Sequence, residues 1–302
     1  MTKRMKHSGN DVYTNQTKAH SSWYEAWQRL RHQPIAMIAL GGIILIILLA
    51  IFADLLADYN SMAIAQNAAD KLQGPSWNHL LGTDKFGRDL FARIIHGGRI
   101  ALLMGVVSTA MSLLIATLLA CIGALGGNRV DNVIMRIMDI LSSIPGLVIA
   151  LAICAGLGAG LWQLIVALTV QAIPYQTRMV RSRALSIAQN EYVEAARTMG
   201  SGNGHIIFRH LMPNLASIII VTGTGNVAYN ILMGATLSFI GLGVAAPRPE
   251  WGLMLSESMM YMARYPYITI VPGLAIVLTA LCFNTFGDYL RDAFDPQLKG
   301  KA

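Results

Sequence analysis

Charge is scarce in this chain. Of its 302 residues only 13% are Asp, Glu, Lys or Arg, against about 25% in an ordinary soluble domain. A soluble body of this length needs a charged surface over its core, and here the residues to build one are missing. Cysteine is nearly absent. Cys121, Cys154 and Cys282 all fall inside apolar runs, which excludes a disulfide framework built on paired, loop-borne cysteines and leaves small apolar packing residues. Gathered histidines are missing too. His205 and His210 stand five apart, off a shared face at α-helical spacing, so no metal site is expected. None of the seven lysines is followed by Ser or Thr. That excludes the Gly-x-x-x-x-Gly-Lys-Ser/Thr loop that cradles nucleotide phosphates. The net charge of +7 lacks the basic clusters interleaved with aromatics that a nucleic-acid binder shows, so no nucleic acid is expected. It fits attraction to anionic lipid on a cytoplasmic leaflet.

What the chain does have is apolar length. Charge-free windows run Ile35–Ala53, Ile100–Asn128, Ile140–Thr177, Leu211–Pro247 and Tyr265–Gly287. A hydrocarbon core of about 30 Å takes roughly 20 helical residues to cross. The first, second and last windows hold one span each. The third holds two short ones, with Gly156, Gly158 and Gly160 at the turn between them. The fourth, polar at Thr222–Asn230, reads as one long span. The expectation is an all-α integral membrane protein of six transmembrane helices. Sixteen of the 23 Lys and Arg then lie on the side of the two termini and seven on the other, so the positive-inside rule puts both termini in the cytoplasm. The first apolar run begins after 34 polar residues, which favours a signal anchor over a cleavable leader.

Along the chain, residues 1–34 form a polar cytoplasmic tail ending in "SSWYEAWQRLRHQP". There Trp23, Trp27 and Leu30 recur at helical spacing, giving either an interfacial helix or a short solvated one. Residues 35–99 hold the first span and the outer loop. Within that loop Gly82, Gly87, Gly97 and Gly98 read as breaks, and Leu90, Phe91, Ile94 and Ile95 as the apolar face of a short helix lying at the outer interface. Residues 100–291 form a five-helix core with a cytoplasmic loop at 178–213, and 292–302 a cytoplasmic C-terminal tail. Small residues crowd the spans, as in "GVVSTAMSLLIATLLACIGALGG". In lipid, close helix packing depends on such residues, so a tight bundle is expected.

The polar stretch "EYVEAARTMGSGNGHIIFRHLMPN", Glu191 to Asn214, separates two charge-free windows. Tyr192, Ala195, Ala196 and Met199 share one helical stripe. Glu194 sits i,i+3 from Arg197, within pairing reach. Gly200 is placed to end this helix in a positive-φ conformation. The "SGNG" turn and a second short helix follow, and Pro213 opens the fifth span, where a missing N–H is tolerated. A short, small-faced helix tied to two spans suits a groove on another protein.

Here the sequence resembles a known family. Membrane subunits of ATP-binding-cassette importers carry Glu-Ala-Ala, three residues, Gly, nine residues, then Ile-x-Leu-Pro. This chain has Glu194-Ala195-Ala196, Gly200 and Pro213 at that spacing, departing at His210 and Met212. Together with "LGTDKFGRDLFARIIHGGRIAL", "PRPEWGLML" and "FGDYLRDAFDPQLK", it is similar to the C-type permease subunits of dipeptide, oligopeptide, glutathione and nickel importers, from about Trp27 onward. The resemblance implies a type I importer permease fold, paired with a second homologous permease, two ATPase subunits below and an extracytoplasmic substrate-binding protein outside. It implies that Tyr192, Glu194, Ala195, Ala196, Gly200 and Pro213 belong to an ATPase-coupling segment, with Glu194 and Ala196 on its docking face. ATP and magnesium would be used by the partners, none bound by this chain. It would be a non-catalytic subunit of a bacterial inner-membrane importer.

Two matters stay open in the sequence. Asn226 and Asn230 lie four apart in the fifth span, with Ser238 twelve beyond Asn226. These polar groups line either a translocation path or interhelical contacts. The alternative function is an ion-coupled secondary transporter. Such a protein tends to carry midspan ionisable groups, whereas Asp139 and Asp288 sit at span ends beside Arg136 and Arg291 and read as interfacial pairing groups.

Overall fold

The computed structural model describes residues 22–294, and all of it is helix, turn or loop apart from one bridge pairing Thr83 with Asp89. The rest of the N-terminal tail and the end of the C-terminal one, with Lys299 and Lys301, lie outside the described residues. In chain order the α-helices are α1 (Ser22–Arg31), α2 (Pro34–Ile51), α3 (Ala53–Leu56), α4 (Leu90–Ser142), α5 (Gly146–Leu157), α6 (Leu161–Ala188), α7 (Glu191–Thr198), α8 (Asn203–Ile206), α9 (Met212–Phe239), α10 (Trp251–Ser258) and α11 (Tyr267–Phe294). Four stretches are long and apolar enough to cross a membrane: Pro34–Ile51, Leu90–Ser142, Asn203–Phe239 and Tyr267–Phe294. They fall on the apolar windows read from the sequence. The expected turn in the third window is present, with α5 ending at Leu157 and α6 starting at Leu161. Yet α5 has only 12 residues, a rise of about 18 Å.

Two expectations about breaks are corrected by α4. No separate interfacial helix precedes the second span. α4 starts at Leu90, capped by the Asp89 side chain on Ala92 N, and runs through Gly97 and Gly98 without interruption. Those glycines make room instead of breaking the helix. A Cβ on Gly97 would stand 2.8 Å from the Trp251 ring, whose Nε1 donates to Ile94 O at 3.0 Å. The break comes at Gly127, where φ is 78°, a conformation that costs an L-residue with a Cβ but not glycine. There the chain folds back, and the limb to Ser142 packs against α6.

α6 and α9 pack along α4, and α11 lies against α2 and α9. The approach is close, as the small residues implied: a Cβ on Gly105 would stand 2.7 Å from Ile231. Cys121 and Cys154 are buried and Cys282 half-buried, all free, each among apolar side chains. The helix at the end of the N-terminal tail docks on the bundle. Ala26 and Leu30 of α1 are buried against Leu290 and Ala293 of α11, and Trp27 faces outward. The Trp23 side chain lies outside the described residues.

Candidate functional site

The helix α7, between α6 and α8, is short and firmly ended. Glu191 and Glu194 occupy its first turn and Arg197 its last, each on the side the helix dipole favours. At the end, Ser201 N donates to Ala196 O at 3.0 Å and Gly200 N to Arg197 O at 3.0 Å, with Gly200 at φ +86°. This pair of bonds is the Schellman arrangement, which satisfies the last carbonyls and needs a left-handed residue at Gly200. The positive φ expected there is present.

One face of α7 plugs into the body. Val193 and Ala196 are buried, and Val193 packs in a cluster with Val180, Ile187, Ile206 and Leu211. Ala196 therefore points inward, which corrects its expected place on a docking face. The α-helical step of about 100° per residue turns Ala195 outward in its stead. Tyr192, Glu194, Ala195 and Met199 are exposed, Met199 at 80%. Among the described residues no ion pair joins Glu194 to Arg197. After α8, Ile207–Leu211 form a π turn just before Pro213, which has no N–H to return to the preceding turn. The widened turn brings the rings of His205 and His210 to 6.0 Å and places Tyr192 5.9 Å from His210. At α-helical spacing those histidines would have diverged. No group of three or more potential metal ligands gathers among the described residues.

The fold-back limb of α4 is tied to α6 by charge. Arg181 grips Asp131 through two nitrogens. Arg178 donates to Asp139 at 3.0 Å and Ser142 at 2.9 Å. Asp139 thus pairs across to α6 and not with Arg136.

Above this tie lies a cavity of about 540 Å³, walled by the end of α4, the start of α5, the middle of α6 and α9 and the end of α11. Pro174 interrupts the α6 ladder in its wall and leaves the Val170 carbonyl without its helical donor. Asn226 lines the cavity and donates to Thr222 O at 2.7 Å. The other two path candidates lie elsewhere. Asn230 is fully buried and donates to Thr109 Oγ1 on α4 at 2.9 Å. Ser238 is buried beside the Glu250 carboxylate, at the opposite end of α9 from Pro213. Twelve residues at about 100° each leave Ser238 roughly 120° around the helix from Asn226, so the three do not form one stripe. The sequence reading missed Gln171, Ser142 and Arg291, which share the cavity with Asn226. The glutamines Gln163, Gln171 and Gln176 within one apolar run were the available signal.

At the other end of the bundle, Arg88 and Arg93 are buried among Asp84 and Glu257. Arg88 reaches Asp84 and Glu257 at 2.6 Å each, and Arg93 donates to Ala63 O at 2.9 Å. Glu250 is also buried. It caps α10 by accepting from Gly252 N at 2.9 Å and Leu253 N at 2.7 Å, and burial pushes its carboxyl up to about 7.

Residues 89–300 match the family profile of binding-protein-dependent transport system inner membrane components, and residues 21–75 that of the N-terminal transmembrane domain of oligopeptide transport permease C. The dipeptide transport system permease protein DppC of Alkalihalophilus pseudofirmus is 41% identical over 289 residues, 96% of this chain and 93% of its own. The glutathione transport system permease protein GsiD is 41% identical in Pectobacterium atrosepticum, covering 92% of both chains. In Escherichia coli it is 40% identical, covering 92% of this chain and 91% of its own. Among solved structures, an inward-facing form of the MetNI methionine ABC transporter aligns with TM-score 0.54 at 20% identity, over 67% of this chain and 96% of that one.

Proposed function

Because this chain belongs to the binding-protein-dependent transport inner-membrane components, an importer permease family, we propose that it carries short peptides or a related small solute such as glutathione across the bacterial inner membrane. Its relatives named for dipeptide and glutathione transport support that substrate class. In this reading the chain is non-catalytic. Two partner ATPases hydrolyse ATP with magnesium, a binding protein delivers solute outside, and a second homologous permease completes the path. The chain crosses the membrane six times with both termini in the cytoplasm, α5 and α6 making the third and fourth crossings. The tail of 1–34, the first span and outer loop of 35–99, the core of 100–291 and the tail of 292–302 act as its functional parts.

The observation that carries this reading is α7. It buries Val193 and Ala196, ends at Gly200, and presents Tyr192, Glu194, Ala195 and Met199 as exposed side chains. An exposed apolar face on a fixed helix suits an ATPase groove. The test is co-purification of the ATPases and solute-stimulated ATP hydrolysis in vesicles. Ala195→Trp should leave the permease folded and reduce ATPase recovery or coupling. Gly200→Val forces a β-branched residue to positive φ, at a cost of about 1–2 kcal/mol, and should uncouple hydrolysis from uptake. Normal assembly and transport in both variants would sink the coupling assignment.

A further inference from the structure

The cavity beside α5 has a one-sided chemistry. Its polar lining is Ser142, Gln171, Tyr175, Thr222, Asn226 and Arg291, with no carboxylate among its walls. Arg291 is its single charge, and among the described residues no Asp or Glu pairs with it. Gln171 is 8% exposed, and its Nε2 has no hydrogen-bond partner. A buried amide N–H left unpaired costs free energy until an acceptor arrives. The Asn226 amide nitrogen is already spent on its own helix at Thr222 O. The cavity therefore offers unused donors and one positive charge to a ligand that must bring acceptors and negative charge. A carboxylate meets both demands, since a guanidinium binds it with charge-assisted hydrogen bonds and an amide N–H can take a remaining lone pair.

We propose that this cavity is a transit subsite for the free carboxylate of the solute, with Arg291 as counter-charge and Gln171 as the waiting donor. The proposal rests on the importer reading and deepens it. The solute class is one with an ionised carboxyl end, and a solute capped there would lose its hold. Arg291 lies near the end of α11 and is exposed, so water competes for the carboxylate and the grip stays weak enough to release.

The experiment reads the charge of the cavity directly. In the purified complex, Asn226→Cys is reacted with an anionic and with a cationic thiol reagent of equal size. The unsubstituted chain serves as blank for its native cysteines. The anionic reagent should react faster. Arg291→Gln should lower the anionic-to-cationic rate ratio by about tenfold, the factor one partly screened unit charge a few ångströms away supplies, and Arg291→Lys should keep it. Alanylalanine should slow labelling, whereas its C-terminal amide should not, and Gln171→Leu should weaken that protection. Tyr175→Cys, on the exposed rim, gives the same ratio if Asn226→Cys does not assemble. A ratio indifferent to Arg291→Gln, or equal protection by the acid and the amide, overturns the subsite. ATP-driven uptake of alanylalanine and of glutathione is measured separately. Absence of uptake of both alanylalanine and glutathione while the ratio still responds to Arg291 would overturn the proposed solute class and leave the anion site standing.

Discussion

Around Arg88 the segment between α3 and α4 folds over two buried guanidiniums, whereas from Glu191 to Leu211 every Asp, Glu, Lys and Arg is exposed. Both segments lie outside the apolar runs, and both are fixed in place, but by different forces. In the first, Asp84 accepts from Phe86 N at 2.8 Å and Arg88 N at 3.0 Å while also holding the Arg88 guanidinium. Glu257 brings the stretch after α10's start into the same knot. Such a knot fixes one arrangement, because each buried charge tolerates few others. In the second, the buried Val193 and Ala196 seat α7 and leave its charged groups exposed. A segment that must meet another protein keeps its exposed face free; one that closes over itself does not.

The sharpest way to break this comparison is Asp84→Ala set against Glu191→Ala. The first leaves two buried guanidiniums sharing Glu257. Breaking a buried pair from one side costs about 3–5 kcal/mol. The thermal midpoint of the purified complex should fall steeply, or the chain should not accumulate. The second removes a solvated charge and should stay within about 0.5 kcal/mol. Equal effects would mean the outer charges are not the fastening. Next in size is Ala196→Trp. Overpacking the inner plug should cost about 1–3 kcal/mol, visible as a lowered midpoint. Ala195→Trp, one residue away, should leave the midpoint unchanged. If the two behave alike, α7 is not held by one face.

The smallest expected effect concerns Glu250. Burial raises its carboxyl from 4.5 to about 7, so the folded protein binds that proton more tightly than the unfolded chain. Its contribution to stability is full below 4.5 and is lost as pH rises through about 7. The thermal midpoint of the native chain, taken relative to Glu250→Gln, should decline across that window. A flat difference would place Glu250 in contact with water in the folded protein.

Much of this was legible before any coordinates. The apolar windows located α2, α9 and α11 because a membrane rewards unbroken hydrophobic length. Gly200 announced its own φ because it stood at the end of an amphipathic octet. Other features were hidden for physical reasons. Gly97 and Gly127 look alike in a sequence, yet one admits the Trp251 ring within a straight helix and the other turns the chain back. Glycine signals freedom without saying how it is used. The burial of Arg88 and Arg93 was hidden because their shared partner Glu257 lies more than 160 residues away. Asn226 and Asn230 share a helical face by spacing, but only the neighbours decide that one meets a cavity and the other meets Thr109. The inward turn of Ala196 was likewise set by its neighbours, since Tyr192, Ala195 and Ala196 looked equivalent on the stripe.

The shortness of α5 has a consequence for the lipid. Its twelve residues rise about 18 Å, whereas the hydrocarbon layer is about 30 Å thick. In a crossing there, the bilayer thins locally or the chain ends at Pro145 and Gly158–Gly160 sink below the headgroups. Each ångström of such mismatch costs a fraction of a kcal/mol. Shorter acyl chains relieve that strain and longer ones add to it. Because α5 walls the cavity through Gly146 and Ile149, in the proposed six-crossing arrangement acyl-chain length enters the mechanics of that wall, and the membrane becomes a component of the permease as well as its solvent.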